Sequence, residues 1–453
     1  MNKTLTQAII ILALLTAINL HGQVTIGSDQ APNKGALLDL KEHAPDANNA
    51  TATRGLGLPK VELSDLSKLI IGTAPEITGA DALSHAGLIV YNTKASMCFS
   101  EGMYVWNGTQ WDQLAGVGIG SYQSDVEALK TLYNANPGNT LGWNLALDPS
   151  TFAGVIWATV CGETRVIKLD VNSKNLTSSA GIEKLYMLTE LNCWFNSLTT
   201  LDVSGAKSLT HLYCGENQLT SLDVSKNTAL THLYTGFNKL TSLDVSKNPA
   251  LVLMECYANQ LTSLDVSKNT ALVTLFCHRN KLASLDVSGA TALETLYCLE
   301  NKLMTLDVSN NMALTSITCG DNLLTTLDVS NNTLLNYLEL YNNSLTTLNI
   351  SNNTALTSLN CSDNKFTTLN IFNNTALMSL NCNNNKLTAL DISNNAALIA
   401  VWCSGNWLTQ TEIDKFKLHP NYCTSSFMRN NLLPQYIYGT TTVNASITAP
   451  TCP

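Results

Sequence analysis

The sequence predicts a mostly β protein whose body is a solenoid of stacked parallel strands. The tripeptide Leu-Asp-Val, or a close variant, begins ten times between Leu201 and Leu390, and every step is 21 residues without an insertion. Within each unit, apolar Leu and Cys alternate with polar or aromatic residues, as in a strand with one buried face. Such a fixed period is typical of coils that bury a common core only by stacking on their neighbours.

The full unit is L-x-x-L-x-C-x-x-N-x-L-x-x-L-D-V-S-x-N-x-A, and one copy runs from Leu209 to Ala229. Over roughly residues 166–408 the chain resembles the leucine-rich-repeat family, whose signature L-x-x-L-x-L-x-x-N-x-L has Leu where this chain has Cys. Nested units of this length are similar to those of bacterial surface proteins, particularly from the Bacteroidetes. The resemblance implies a binding solenoid rather than an enzyme.

Two polar residue types keep fixed positions in the unit. Asn recurs eleven times at the turn, from Asn196 to Asn406, where its amide can bond the backbone groups exposed at the bend. Nine of the 13 cysteines share one register, and Thr235 and Leu340 occupy the same position in other copies. That position therefore indicates a compact core side chain rather than a disulfide or a zinc ligand.

The N-terminus has the features of an export signal. Residues 1–22 combine Lys3 with the apolar stretch Ala8–Leu20 and the small residue Gly22, which predicts a cleaved signal peptide. No later apolar stretch approaches the roughly 18 residues that a membrane-spanning helix needs. We therefore expect a secreted or cell-surface protein without a membrane-spanning segment.

Residues 23–118 carry no repeat and predict a small β-rich module. Short apolar runs such as Gly87–Tyr91 indicate strands. The segment Tyr104–Trp111 has Asn-Gly at its centre and predicts a hairpin.

Both ends of a solenoid need a cap, because each exposes an unpaired sheet edge. Residues 119–165 are the predicted N-terminal cap, with a helix opened by a capping box of Ser124 and Glu127. Residues 409–453 are the predicted C-terminal cap, with a short helix from Thr409 to about Leu418. Cys423 and Cys452, in this cap, form the one disulfide that we predict.

Copies of the unit differ mainly at the outward positions of their first half, where aromatic residues are frequent. Exposed aromatic side chains on a rigid face are typical partner anchors, and aromatic rings also stack on sugars. The alternative is that they only stabilise the sheet through neighbour contacts. We predict an extracellular protein or glycan ligand at Trp194, Phe195, His211, Tyr213, His232, Tyr234, Phe237, Tyr257, Phe276, His278, Tyr297, Tyr337 and Tyr341.

Other chemistry has less support in the sequence. A column of acidic residues such as Asp223 and Asp244 is explained either by structural hydrogen bonds or by bound cations, and the former needs fewer assumptions. His211 and His232 are neighbours without a third ligand, so we expect no metal and no cofactor. The net charge of −9 and the lack of a basic cluster argue against nucleic acid.

An enzyme is the less favoured alternative. No hydrolase, metalloprotease or nucleotide-binding motif is present, and the C-terminal region is too short for a catalytic domain. Cys423 and His419 are the one candidate nucleophile and base pair, and they lie only four residues apart. A structural envelope component without a specific ligand is the other alternative.

Overall fold

The fold was analysed in a computed structural model, which describes residues 24–26, 38–40, 60–61, 63, 68, 88–92, 102–106, 111–115, 120–160, 162–424, 431–436, 439–440 and 442–452. The chain divides into two compact units, residues 1–117 and 118–453. The predicted signal peptide, Cys98 and Cys161 lie outside the described residues.

The first unit contains two small sheets. Strands β1 (Val24–Ile26) and β2 (Leu38–Leu40) pair in parallel. A four-stranded sheet has the order β3 (Lys60–Val61), β4 (Ile89–Asn92), β5 (Gly102–Trp106) and β6 (Trp111–Ala115). The predicted hairpin is confirmed, since β5 and β6 are antiparallel and place Trp106 opposite Trp111, with ring centroids 5.5 Å apart.

The second unit is the predicted solenoid, and its main sheet has 13 strands among the described residues. It starts with the antiparallel pair β7 (Val155–Val160) and β8 (Glu163–Asp170), after which every strand is parallel to the previous one and in register. The repeat strands are β9 (Glu190–Asn192), β10 (His211–Tyr213), β11 (His232–Tyr234), β12 (Leu253–Glu255), β14 (Thr274–Phe276), β16 (Thr295–Tyr297), β17 (Ser316–Thr318), β18 (Tyr337–Glu339), β19 (Ser358–Asn360), β20 (Ser379–Asn381) and β21 (Ala400–Trp402). On the opposite flank, β13 (Ser263–Asp265) pairs with β15 (Ser284–Asp286).

The core runs along the whole solenoid. In each repeat strand the middle residue is buried and its two neighbours are turned outward, as in His211-Leu212-Tyr213. Cys214 and Val224 are fully buried in the same coil. Burying such a side chain contributes about 1.5–3 kcal/mol, and the contribution recurs at every coil. The predicted mostly β solenoid and its Cys/Leu core are confirmed.

The predicted asparagine ladder is also confirmed. The Nδ2 atom of Asn217 donates to the carbonyls of Cys193, Cys214 and Gly215 at 2.9, 3.2 and 3.0 Å. Its Oδ1 atom accepts from the Leu198 amide at 3.0 Å. One side chain therefore satisfies four backbone groups and joins two coils, and the pattern repeats at each turn.

A second asparagine ladder, which was not predicted from the sequence, occupies the other bend of the coil. The Nδ2 atom of Asn227 donates to the carbonyls of Val203 and Ala206 at 2.9 and 2.7 Å. Its Oδ1 atom is buried and, within the described residues, has no hydrogen-bond partner. The same arrangement recurs at Asn248, Asn269, Asn311, Asn332, Asn353, Asn374 and Asn395.

The region of the predicted N-terminal cap contains helix α1 (Tyr122–Asn134), and the predicted capping box is wrong by three residues. Ser121 is the N-cap, and Ser124 is the third helical residue. The Ser121 hydroxyl accepts from the Ser124 amide at 3.2 Å, and the Ser124 hydroxyl accepts from the Ser121 amide at 2.6 Å. Because a serine hydroxyl can reciprocate as Glu does, Glu127 is free to bond Lys130 at 3.3 Å on the exposed side.

A buried ion pair fixes α1 to the first strands of the solenoid. Arg165 donates from Nε and Nη2 to the Asp125 carboxylate at 3.0 and 2.9 Å. Asp125 also accepts from the Val166 amide at 2.9 Å. Two short 3-10 helices, Pro149–Thr151 and Ile182–Lys184, complete the connections between these elements.

The region of the predicted C-terminal cap contains the predicted helix and the predicted disulfide. Thr409 caps helix α2 (Gln410–Lys415), which continues as a 3-10 helix to Leu418. Cys423 and Cys452 form a disulfide with their Cα atoms 5.7 Å apart.

Candidate functional site

The candidate site is the side of the long sheet that faces away from the core, here called the open face. Four outward positions of each coil form four columns along it. Columns one and two are the residues directly before and directly after the buried strand residue. Columns three and four are the first and the second residue after the Cys position. In the coil of Leu212 these are His211, Tyr213, Gly215 and Glu216.

Two histidines stack at the start of column one. The rings of His211 and His232 lie 4.4 Å apart at an angle of 9°. A threonine hydroxyl lies 2.9 Å from the Nδ1 atom of each ring, from Thr210 in one coil and Thr231 in the next. Burial, together with the neighbouring His211, lowers the pKa of His232. These contacts hold the two imidazoles in one orientation.

Column two has two stacked aromatic pairs separated by Glu255. Tyr213 and Tyr234 stack at 4.6 Å and 15°, and Phe276 and Tyr297 stack at 4.8 Å and 29°. The ring faces are turned to one another, so the ring edges and the phenol hydroxyls point outward. Burial raises the pKa of Tyr213 and Tyr234, so both phenols are protonated and can donate hydrogen bonds at neutral pH.

In column three, aromatic rings lie flat over glycines of adjacent coils. A Cβ atom at Gly236 would approach Tyr257 to 2.9 Å, and one at Gly320 would approach Tyr341 to 2.6 Å. Trp194 covers Gly215 in the same way, at 2.7 Å. The rings are among the predicted site residues, but the glycines are not. Their signal in the sequence is their presence in a column that otherwise carries side chains.

Column four is made of residues in the left-handed backbone region, including two phenylalanines. Phe195 has φ 51° and Phe237 has φ 53°, a conformation that bulky residues rarely adopt. Their side chains are 56% and 39% exposed, respectively. Phe237 packs edge-on against Tyr257 at 5.3 Å, and His278 stacks on the same tyrosine at 4.7 Å and 2°.

Carboxylates accompany the last two predicted aromatic residues. The Tyr337 hydroxyl donates to Glu339 Oε1 at 2.6 Å. Burial and this bond raise the pKa of Tyr337. Burial and the adjacent Asp321 raise the pKa of Tyr341 to about 12. Both tyrosines are among the predicted ligand contacts, whereas Glu339 and Asp321 are not.

All thirteen predicted site residues lie on the open face and are half-buried or exposed. Ring contacts join most of them into three groups, whereas Tyr337 and Tyr341 lie further along the face. The groups are Trp194 with Phe195, the stacked set His211, Tyr213, His232 and Tyr234, and the set Phe237, Tyr257, Phe276, His278 and Tyr297.

The candidate Cys–His pair is not available for catalysis. Cys423 is disulfide-bonded, and the Nε2 atom of His419 lies 3.0 Å from the Asn395 carbonyl.

The aspartate column is explained by local hydrogen bonds, since Asp223 Oδ1 accepts from the Ser225 amide at 2.8 Å and this bond lowers the pKa of the carboxyl. Across the described ranges, no three His, Cys, Asp or Glu side chains converge as a metal site. In the same ranges, no helix has the length and apolarity to cross a bilayer.

Comparison with solved structures identifies the solenoid class. The functional domain of InlJ from Listeria monocytogenes, which includes a cysteine ladder, is 35% identical with a TM-score of 0.52, over 62% of this chain and 66% of that one. The leucine-rich-repeat ectodomain of the plant receptor kinase GASSHO1/SCHENGEN3 from Arabidopsis thaliana, in complex with Casparian strip integrity factor 2, is 24% identical with a TM-score of 0.56. That match covers 63% of this chain and 38% of the receptor chain. With its 21-residue repeats and stacked coils, this chain is a leucine-rich-repeat protein.

A separate match concerns the N-terminal region. Residues 25–129 match a family model described as a phage tail like trimerisation region. The chain has no match among curated proteins.

Proposed function

We propose that this protein is exported and binds a polypeptide ligand through the open face of its solenoid. The observation that carries the proposal is the set of stacked rings in columns one and two, where His211, Tyr213, His232 and Tyr234 form one continuous surface. Rigid aromatic side chains give large contact area at low cost in conformational entropy.

The orientation of the rings favours a polypeptide over a glycan. A sugar ring binds an aromatic side chain by lying on its face. In the stacked pairs Tyr213–Tyr234 and Phe276–Tyr297 those faces are turned to each other. The outward edges instead offer apolar C–H groups and phenol hydroxyls, which suit the mixed side chains and backbone amides of a polypeptide.

Export is supported by two features of the chain. The first 22 residues have the composition of a signal peptide. The Cys423–Cys452 disulfide fits an oxidising compartment, because such bonds rarely persist in the cytosol. The nine cysteines of the repeat are buried and unpaired, so they do not oppose this inference.

The test is selection of a random peptide library on the full-length protein without its signal peptide. Selected peptides should lose binding to the Tyr213→Ala/Tyr234→Ala double variant, whose thermal unfolding should change little because both rings are only half-buried. The matched control is Phe372→Ala, which removes an aromatic side chain that is 59% exposed outside the four columns. Peptides that bind the double variant as well as the unmodified protein would refute the proposal.

We further propose that the N-terminal region assembles three copies of the chain. The support is the family match over residues 25–129. Three linked open faces would raise the avidity for a repetitive ligand without any new contact. Light scattering of the protein in solution tests this, and the mass of a monomer at micromolar concentration would reject it.

A further inference from the structure

The part of the open face from Tyr297 to Asn342 differs in charge from the rest. Its four columns carry Glu300, Asp321 and Glu339 and no Lys or Arg. The nearest cations lie next to this segment. Arg279, in column four of the preceding coil, forms an ion pair with Glu300 at 3.4 Å, and Lys302 lies outside the columns, beside Asn301 at the rim. Glu300, Asp321, Glu339, Tyr337, Tyr341 and Thr318 are here called the acidic patch.

The tyrosines of the patch are surrounded by carboxylates. Tyr337 donates its hydroxyl hydrogen to Glu339 Oε1. Because a carboxylate has several lone pairs, Glu339 can still accept hydrogen bonds from another donor. Tyr341 lies over Gly320, and its elevated pKa reflects burial and the charges of Asp321, Glu339 and Glu300. Because both phenols are protonated at neutral pH, the patch combines neutral rings with a negative potential.

The centre of the patch contains a buried hydroxyl without a partner. Thr318 is 3% exposed, and its Oγ1 atom has no hydrogen-bond partner among the described residues. Because Ile317 points into the core, Thr318 points to the open side. The sheet register places it between Tyr297 and Glu339. Buried polar groups are nearly always paired in native proteins, so this hydroxyl indicates a position that a ligand group completes.

We propose that the acidic patch binds a basic segment of the polypeptide ligand, with an arginine or lysine side chain held by Glu339 and Asp321 and resting against the tyrosine rings. The proposal rests on the proposed polypeptide-binding function and specifies the chemistry of the partner. A guanidinium group matches a carboxylate in a two-point hydrogen bond and is attracted to an aromatic ring. The Thr318 hydroxyl, which lies between Tyr297 and Glu339 without a partner among the described residues, supplies a further acceptor.

The experiment measures binding of the full-length protein to two fluorescein-labelled peptides, Arg-Gly and Gln-Gly repeats of equal length. The Arg peptide should bind more tightly than the Gln peptide, and the difference should shrink as sodium chloride is raised. The variant Glu339→Gln/Asp321→Asn should weaken the Arg peptide by about tenfold or more, the scale expected for loss of charge-assisted hydrogen bonds. Both substitutions keep the shape of partly exposed side chains, and circular dichroism checks that the variant is folded.

The matched control is Glu216→Gln, which removes a carboxylate from column four of the same face outside the patch. It should leave binding of the Arg peptide almost unchanged. If Glu216→Gln weakens the Arg peptide as much as Glu339→Gln alone, attraction to the net negative charge explains the binding and the patch proposal is overturned.

The two proposals fail in different ways. In one case, the library peptides require Tyr213 and Tyr234, but the Arg and Gln peptides bind equally. This result would overturn the acidic-patch proposal and leave the proposal of polypeptide binding intact. In the opposite case, the Arg peptide depends on Glu339 and Asp321, while the library peptides bind the Tyr213→Ala/Tyr234→Ala variant normally. This result would support the acidic patch and remove the aromatic surface from the proposed function.

Discussion

The phenol ring of Tyr257 lies against Gly236 of the preceding coil, where a Cβ atom would come within 2.9 Å of Cε1 and Cζ. The backbone of Gly236 does not have the positive φ that demands glycine, so the ring and not the chain conformation requires the missing side chain. His278 stacks on the same phenol ring, with the two ring centroids 4.7 Å apart. The glycine therefore sets the orientation of two predicted ligand contacts.

Gly236→Ala should displace Tyr257 without unfolding the coil. The three atoms nearest to the added methyl group all belong to the ring of Tyr257, a side chain that can rotate away. We expect a change in unfolding free energy within about 1 kcal/mol, because the backbone geometry suits alanine. The affinity for library-selected peptides should fall by about tenfold, a typical loss for one displaced aromatic contact. Thermal unfolding and fluorescence anisotropy measure the two effects, and an unchanged affinity would exclude Tyr257 from the binding surface.

Gly289→Ala is the contrasting control. A Cβ atom there would come within 1.8 Å of the Ser267 carbonyl oxygen, which belongs to the backbone of the previous coil and cannot rotate away. This substitution should lower the unfolding free energy by about 1–3 kcal/mol through forced backbone shifts. Its folded fraction should bind peptide normally, since Gly289 lies on the flank opposite the open face.

The repeat made most of the solenoid predictable from sequence. The 21-residue step fixes which side chains stack, so alternation around Leu212 and Cys214 already separates the core from the open face. The same regularity indicates a structural role for the turn asparagines, because Asn occupies this position in every coil. The capping box failed because Ser121 and Ser124 are both capable N-caps, and sequence spacing alone does not choose between them.

Features of the candidate site that depend on neighbouring coils were not predictable. The flat orientation of Tyr257 requires knowing that Gly236 lies beneath it, which a scan for aromatic residues ignores. The isolation of the Thr318 hydroxyl follows from burial beside its register neighbours. Both depend on distances between side chains of different coils, whereas the repeat pattern specifies only their order.

The two asparagine ladders should differ in their contribution to stability. Asn259, in the first ladder, donates to three carbonyls at 3.0–3.2 Å and accepts from the Leu240 amide at 3.0 Å. Asn248, in the second, donates to two carbonyls at 3.0 and 2.9 Å while its Oδ1 has no partner in the described structure. Alanine already stands at the second-ladder position at Ala206 and Ala290.

We therefore expect Asn259→Ala to cost about 3 kcal/mol of unfolding free energy, because it leaves the buried Leu240 amide unpaired and removes one of the two hydrogen bonds at each of three carbonyls. Asn248→Ala should cost about 1 kcal/mol, since the carbonyls that it releases retain their turn hydrogen bonds. Urea unfolding of the two variants measures the difference. Equal losses would contradict the unequal roles of the ladders.

The buried cysteines should make the solenoid sensitive to alkaline pH. Burial raises the pKa of Cys256 and of Cys319 from the ordinary value of 9.0 to about 12. Between these values the unfolded chain has lost the thiol proton and the folded chain has kept it. The free energy of unfolding is therefore unaffected by these groups below about pH 9 and falls as pH rises through that window.

Urea unfolding at successive pH values above 8 tests the effect, and Cys256→Ala/Cys319→Ala should make the decline shallower. The native protein should also leave its repeat thiols unlabelled by a thiol reagent at pH 8 and react only after unfolding, since the thiolate is the reactive form. Rapid labelling of the folded protein would show that the cysteine column is accessible.

The last rung of the first asparagine ladder is a glutamine from the C-terminal cap. Gln435 Nε2 donates to the Cys403 carbonyl at 2.8 Å, and its Oε1 accepts from the Leu408 amide at 3.3 Å. Asn406 makes the equivalent pair of bonds one coil earlier, to Cys382 and Leu387, at 3.0 Å each. The longer side chain thus replaces the asparagine that an additional coil would have supplied.

Gln435→Ala should destabilise the end of the solenoid before the rest. The variant leaves the buried Leu408 amide unpaired and removes one of the two side-chain hydrogen bonds at the Cys403 carbonyl, where Asn406 still donates at 3.0 Å. We expect a cost of about 2 kcal/mol. Because each coil contacts only its neighbours, the loss should appear as faster amide hydrogen exchange in residues 403–408, with little change near residue 212. Gln410→Ala is the control, since that half-buried glutamine bonds Asp414 and Thr448 and does not contribute to the asparagine ladder. Uniform acceleration of exchange along the chain would show instead that the cap and the solenoid unfold as one unit, and that Gln435 protects all coils equally.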